Sequence, residues 1–270
     1  MPQLTGKDPT VTVLLFKLVL TPVFIGSVSL AGRRWGPAVS GLLMGLPLTS
    51  GPISVFLALQ YGPAFAARAA VGNLAGQASV CAFCLTYGLA ARKWPWTLCV
   101  PAGLLAFVAA TALLDRVHWT LASAAVLLVA AIAVAHRLLP RGPAGAARAA
   151  RPRWDLPARM LVATAFVLAL TALARSLGPQ LSGLIAPFPV FGVVLAAFTH
   201  VRQGPAAAAR LLRGNVAGGL AFVAFFVVVG LGLGRGPLPA VYLMATLAAL
   251  GTGAAVFLAS RGRAPRLTGS

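Results

Sequence analysis

Long apolar stretches separated by short polar or Gly-Pro segments follow one another along the whole chain. Most are roughly 20 residues long, and at a rise of about 1.5 Å per residue a helix of that length crosses a hydrocarbon core of about 30 Å. Continuous apolar runs of this kind predict transmembrane helices rather than helices with one polar face. The predicted spans, about nine in number, are residues 11–32, 37–60, 63–90, 96–114, 118–138, 158–175, 179–201, 205–233 and 238–259.

Two segments need a separate interpretation. The first apolar stretch is too long for the apolar part of a signal peptide, and no small-residue cleavage site follows it, so we expect it to remain as the first helix. Residues 139–156 are rich in Pro, Gly, Ala and Arg, which predicts an exposed connector. This connector divides the chain near its middle.

An internal repeat relates the two halves of the chain at a constant offset. Gly36-Pro37 and Pro47 recur as Gly178-Pro179 and Pro189, and Gly62-Pro63, Arg68 and Gly72-Asn73 recur as Gly204-Pro205, Arg210 and Gly214-Asn215, with 178 − 36 = 214 − 72 = 142. Shared apolar composition would not reproduce Pro, Asn and Arg in register. We therefore infer an internal duplication.

The number of spans between the repeats sets their relative orientation. One repeat holds four spans, and a fifth lies between the repeats, so the two enter the membrane from opposite sides. The sequence predicts an all-α integral membrane protein with a first four-helix repeat at 11–115, a linking helix and cytoplasmic connector at 116–157, and a second, inverted four-helix repeat at 158–260. Inverted repeats of this kind are common among secondary transporters.

Composition and charge agree with a membrane location. The chain is 59% hydrophobic and only 9% charged, and it carries a formal net charge of +19, whereas soluble domains contain roughly 25% charged residues. Because the basic residues fall mainly between spans, they are typical of topology signals and contacts with anionic lipids, not of nucleic-acid binding.

The distribution of these charges predicts an orientation. With the connector in the cytoplasm, the cytoplasmic side also collects Arg33, Arg34, Arg92, Lys93, Arg202, Arg261, Arg263 and Arg266, and the outside keeps mainly Lys7, Arg116, Arg175 and Arg235. The positive-inside rule then predicts a multi-pass protein with its N-terminus outside and its C-terminus in the cytoplasm.

Proline predicts that the helices of the second and seventh predicted spans, 37–60 and 179–201, are broken. Pro47 lies within Gly45–Pro52, and Pro189 follows Pro187-Phe188 in the equivalent span; proline removes a backbone donor and clashes with the preceding turn. Each break comes ten residues after the proline that opens its span, 47 − 37 = 189 − 179 = 10, which is about 15 Å of helix and half the hydrocarbon thickness. Irregular backbone at that depth must be buried or line a cavity.

The same depth is predicted for two asparagines. Asn73 and Asn215 lie ten residues after Pro63 and Pro205, each preceded by the first glycine of a G-x-x-x-G motif. One interpretation is tight helix packing; the other is that the amides also face a substrate. Arg68 and Arg210 leave a similar choice, between anchors that extend to the interface and a symmetric pair suited to an anion.

The candidate substrate-binding set is Pro47, Thr49, Ser50, Arg68, Asn73, Gln77, Pro189, Phe191, Arg210 and Asn215. The only acidic residue within a predicted span or at its end is Asp115, so proton relays based on buried carboxylates are not expected. Cys81 and Cys84 are interpreted as small buried helix residues. No cofactor, metal site or enzymatic activity is expected, because the sequence contains no nucleophile–base pair, phosphate-binding loop or metal-ligand cluster.

Residues 175–191, with Ser182-Gly183-Leu184 leading into Phe188-Pro-Val-Phe191, resemble the core of the small four-helix GlpM-like bacterial inner-membrane proteins. The resemblance covers one half directly and the other through the repeat, with Ala186 in place of an expected proline. It implies a fused, inverted duplication of such a unit, located in the bacterial inner membrane. The family name also implies a connection with the bacterial envelope and alginate production.

Three functions follow as hypotheses. The first is a transporter or facilitator that moves a small anionic or polar substrate through a midplane site between the repeats. The second is a flippase for a lipid-linked anionic envelope precursor, and the third is a non-transporting scaffold of an envelope-polysaccharide machine. The expected partners are membrane lipids and the substrate, and a homodimer is compatible with all three.

Overall fold

A computed structural model describes residues 9–141, 154–165, 168–169 and 188–261, with the side chains of 9–18, 20 and 261 left out. Within these ranges the secondary structure is α-helical apart from one isolated bridge between Leu233 and Gly236. The helices are α1 (Pro9–Trp35), α2 (Pro37–Met44), α3 (Ser50–Tyr61), α4 (Pro63–Ala90), α5 (Trp96–Leu114), α6 (Leu121–Leu138), α7 (155–165), α8 (Val190–Gln203), α9 (Pro205–Gly232) and α10 (Leu238–Arg261).

Length and composition identify an all-α, multi-pass membrane protein. Five helices of the described ranges, α4, α5, α6, α9 and α10, are long and apolar enough to cross a membrane. The α8 helix is also apolar but shorter. Large apolar side chains such as Leu105, Val126 and Leu161 are 68–72% exposed, as expected where lipid replaces water at the surface.

Most predicted boundaries agree with the helices. The α4 and α5 helices begin and end at the predicted residues, 63–90 and 96–114. The α6 helix begins at Leu121 rather than 118 because Thr120 and Ser123 form a reciprocal cap at its start, which satisfies amides that would otherwise be free.

The predicted connector, 139–156, begins where α6 ends, at Leu138, as expected, but its first residue is not exposed and its last two residues are helical. Leu139 is buried with 1% exposure, and the chain is helical again from residue 155. The buried Asp155 therefore belongs to α7 and not to an exposed loop. The residues between, 142–153, lie outside the described ranges.

The interruption predicted at Pro47 is confirmed. The α2 helix ends at Met44 and α3 begins at Ser50, so residues 45–49 form an irregular segment within one span. At the second predicted break, Phe188 and Pro189 are not helical and α8 starts at Val190. The first half of that span, 179–187, lies outside the described ranges.

The α4 and α9 helices form the centre of the fold. Their most apolar stretches are 56% buried, against 22–28% for α5, α6 and α10. The α9 helix packs against α2, α4, α6, α8 and α10, and α4 packs against α3, α5, α6 and α9. The end of α4 lies beside the first half of α9, since Asn215 contacts Cys84 and Leu139 contacts both Gly88 and Arg213, so the two helices run antiparallel.

The 142-residue offset of the sequence repeat is visible in these elements. The α4 and α9 helices each contain 28 residues and begin at Pro63 and Pro205, and α5 and α10 begin at Trp96 and Leu238. The glycines that precede α4 and α9 adopt φ values of 87° and 83°. Such positive φ values favour glycine, which explains why Gly-Pro opens both helices.

Candidate functional site

The first break lies against α9, where glycines allow two backbones to touch. Gly41 and Gly45 of the α2 segment face Gly214 and Gly218 of α9, and a Cβ at any of the four would overlap backbone atoms of the other helix. Gly45 and Pro47 are buried. Close approach of this kind is the known use of small residues in membrane helix pairs.

The second break lies among aromatic rings from three other helices. Phe188 meets Phe107 of α5 at 5.6 Å between ring centroids, and Phe191 meets Phe24 of α1 at 4.6 Å. A Cβ on Gly192 would lie 3.3 Å from the ring of Phe83 in α4. Pro189 itself is buried, so the start of α8 is enclosed by protein.

Two phenylalanines link the breaks through the central helices. Phe83 of α4 packs on Gly192, at the start of α8, and Phe225 of α9 packs on Gly51, at the start of α3, 3.2 Å from where its Cβ would be. The two rings are equivalent in the repeat, since 225 − 83 = 142. Each half therefore places the same ring against the helix that restarts after the break in the other half.

The two asparagines differ in their contacts. The side chain of Asn215 is buried with 5% exposure, and its Nδ2 donates to the Sγ of Cys84 at 3.4 Å. The Nδ2 of Asn73 donates to the carbonyl oxygen of Ala69 in its own helix at 2.9 Å, and Asn73 is half-buried. Asn215 thus joins α9 to α4 beside the first break, because Gly45 lies next to its carbonyl oxygen.

The other predicted binding residues are spread between the interior and the surface. Thr49 and Ser50 are half-buried at the start of α3, and neither Thr49 nor Pro189 makes a side-chain cap to its helix. Phe191, Gln77 and Arg210 are also half-buried, whereas Arg68 is exposed. The structure therefore brings Asn215 beside the first break and Phe225 of the same helix onto the start of α3, and it leaves Arg68 exposed.

The cysteine prediction is confirmed, since Cys81, Cys84 and Cys99 are free and buried. Within the described part of the chain, no group of three or more His, Cys, Asp or Glu side chains is arranged to hold a metal ion.

One polar site was missed by sequence reasoning. Asp155, 1% exposed, lies within 4 Å of three arginines from three helices, Arg33 at the end of α1, Arg159 in α7 and Arg202 at the end of α8. We call these four residues the Asp155 cluster. Arg33 and Arg202 were assigned only to topology, and Asp155 to the connector. A signal was present in the rarity of acids, because only three occur in the chain.

Comparison with known proteins gives no match: no family model, curated protein or solved structure matches this chain.

Proposed function

We propose that this chain is a membrane transporter or facilitator that moves a small anionic or polar substrate through a site near the middle of the bilayer, between two inverted four-helix repeats. The observation that carries the proposal is the irregular segment at residues 45–49, with Gly45 and Pro47 buried against α9. Interrupted helices at membrane depth are costly, and transporters use them to present backbone groups to a substrate.

The geometry around the breaks supports a substrate with polar oxygen atoms. The α3 and α8 helices begin without a side-chain cap among the described residues, although several first-turn amides donate to backbone carbonyls, Gly51 to Pro47 and Val190 to Phe188. The positive end of each helix dipole favours negative charge at those positions. Thr49, Ser50 and Asn215 add hydroxyl and amide groups near the first break.

The inverted arrangement is supported by the central pair. The α4 and α9 helices are equal in length, equivalent in the repeat and antiparallel. Two homologous halves in opposite orientations place equivalent groups symmetrically about the membrane centre, as alternating access requires. We place the protein in the bacterial inner membrane with the connector in the cytoplasm, on the strength of its basic residues and the GlpM-like resemblance.

Flux into proteoliposomes tests this proposal. Radiolabelled phosphate, sulfate and succinate are suitable probes, and at least one should enter vesicles carrying the protein faster than protein-free vesicles. Ser50→Ala should reduce that flux about tenfold, because a hydrogen bond to a charged group contributes about 1.5–3 kcal/mol. Ser260→Ala is the matched control, since this exposed hydroxyl donates to Phe257 in its own helix.

A scaffold without transport is the second candidate. The contacts of Gly41, Gly45, Gly214 and Gly218 show that these small residues serve helix packing, and the scaffold requires nothing more of them. Absence of flux for every probe would favour the scaffold. Accelerated exchange of a fluorescent anionic lipid between leaflets, without flux of the small probes, would favour the flippase.

A further inference from the structure

The Asp155 cluster holds more positive charge than the described residues neutralise. Three guanidinium groups surround one carboxylate, which leaves a formal charge of +2. The chain has only two other acidic side chains; Asp115 follows the last residue of α5 and is exposed, and Asp8 lies outside the described ranges. Uncompensated charge at a partly buried site is costly, so a further negative group would stabilise this one.

Asp155 lies closer to Arg159 than to Arg33 or Arg202. Arg159 donates from Nη2 to Oδ1 at 3.4 Å and places Nε 3.2 Å from Oδ2. Arg33 Nη2 and Arg202 Nε stay at 3.6 and 3.8 Å, longer than a hydrogen bond. The Nη2 atom of Arg33 is buried without a hydrogen-bond partner in the described ranges.

Aromatic rings hold two of the three guanidinium groups of the cluster in place. Arg202 lies over Trp154 at 4.4 Å from the ring centroid, and Arg159 lies over Phe198 at 5.3 Å. Stacking of this kind orients a planar guanidinium while its edge stays free to donate. Arg159 and Arg202 are thus oriented before any ligand binds.

A cleft opens beside the cluster and carries an unused hydroxyl. Ser29, Ser40, Thr199 and Gln203 line it together with Arg33, Asp155 and Arg159, whereas Arg202 is outside its lining, and it has room for about one water molecule. The Ser29 residue is 6% exposed, and its Oγ has no hydrogen-bond partner among the described residues. Arg33 and Arg202 keep 31% and 28% of their side chains exposed, so a group from outside the protein can reach both.

We propose that the Asp155 cluster binds a phosphate group, supplied by inorganic phosphate or by a phospholipid headgroup, with the partly exposed guanidinium groups of Arg33 and Arg202 as its ligands. Guanidinium forks match the geometry of phosphate oxygens, and the charge of a phosphate balances the excess of the cluster. The negative charge of Asp155 repels the phosphate and weakens its binding. The site lies at the ends of α1 and α8, apart from the helix breaks, and does not depend on the proposed transport.

Thermal unfolding of the protein in nanodiscs of phosphatidylcholine tests the site. Inorganic phosphate should raise the melting temperature more than chloride at equal ionic strength. Arg33→Gln and Arg202→Gln should each abolish the difference, and both keep the Asp155–Arg159 pair. Arg34→Gln is the matched control, because the neighbouring Arg34 is exposed and stacks on Trp35 instead.

Asp155→Asn separates a binding site from a purely structural ion pair. If the carboxylate competes with phosphate, the substitution should lower the apparent Kd for phosphate about tenfold, which corresponds to about 1.4 kcal/mol. A purely structural cluster would lose stability in this variant without any gain in phosphate affinity, and that result would overturn the proposal.

Nanodiscs containing phosphatidylglycerol identify the source of the phosphate group. If this lipid stabilises the wild-type protein but not Arg33→Gln, and free phosphate has no effect, the ligand is the headgroup. If free phosphate stabilises the wild-type protein but not Arg33→Gln, and the lipid has no effect, the ligand is free phosphate. Either result supports the site. No response to either ligand in the wild-type protein, or a response that persists in both Arg33→Gln and Arg202→Gln, would refute it.

Discussion

At the residue scale, the repeat places the same residue in two different contacts. Asn73 and Asn215 are equivalent, yet only Asn215 reaches across to another helix. Its acceptor is Cys84, whose counterpart is Phe226, since 84 + 142 = 226. A phenylalanine ring offers no sulfur or oxygen acceptor, so the second copy of this contact is absent from the sequence, and Asn73 bonds within its own helix.

Substitution of these asparagines should therefore have unequal effects. Asn215→Ala should lower the free energy of unfolding by about 0.6 kcal/mol and at most about 2, because it removes a hydrogen bond between helices inside the membrane. Asn73→Ala should change it by less than about 0.5 kcal/mol. Unfolding by dodecyl sulfate in mixed micelles measures both, and a double-mutant cycle with Cys84→Ala isolates the pair. Additive effects of Asn215→Ala and Cys84→Ala would show that the contact contributes nothing.

The contacts of the Asp155 cluster could not be predicted from the sequence alone. Charge counting assigned Arg33 and Arg202 to the cytoplasmic side, which says where a residue lies along the membrane normal and not which residue it meets. The ends of α1 and α8 and the start of α7 converge only in the folded chain. Long-range ion pairs of this kind leave no periodicity or motif to read.

At the element scale, the crossing of α2 and α9 is the tightest contact between helices. It uses the motif Gly41-x-x-x-Gly45 on one side and Gly214-x-x-x-Gly218 on the other. Only the second motif was singled out from the sequence, as part of the repeat. Its interpretation as helix packing is supported here, while the surroundings of Gly72, the counterpart of Gly214, are open to at least 4 Å among the described residues.

This difference gives a matched pair of substitutions. A Cβ at position 218 would overlap the carbonyl oxygen of Leu42, so Gly218→Ala should destabilise the protein by about 1–3 kcal/mol through overpacking. Gly72→Ala should be neutral or stabilise by up to about 1 kcal/mol, because alanine favours helix. The free energy of unfolding in mixed micelles measures both. Equal losses would mean that the segment facing Gly72 approaches it as closely as α2 approaches Gly218.

Local sequence signals predicted where helices begin and end better than they predicted which residues the helices contact. Gly-Pro pairs fixed the starts of α4 and α9, and proline fixed the break at Pro47. The start of α7 was placed three residues late, at 158 instead of 155, and Pro157 lies in the first turn of this helix. Proline is compatible with the first turn of a helix, where its missing donor is not needed.

At the scale of the whole molecule, the contacts fix which helix ends lie together. The end of α1, the start of α7 and the end of α8 meet at the Asp155 cluster, and the chain leaves that face again along α9. The loop before α5 should then lie on the side of the cluster, and the loops after α5 and α9 on the opposite side. The basic residues predict that the cluster side is cytoplasmic.

Cysteine labelling in intact bacterial cells tests this arrangement with little background, because the three native cysteines are buried. Lys93→Cys, Arg116→Cys and Arg235→Cys place single thiols at exposed loop positions. A membrane-impermeant maleimide should label positions 116 and 235 from outside and reach position 93 only after permeabilisation, since one crossing of α5 separates 93 from 116. Labelling of 93 and 116 from the same side would mean that α5 does not cross. Opposite sides for 116 and 235 would exclude the inverted repeats, whereas reversal of all three would keep the architecture and exchange inside for outside.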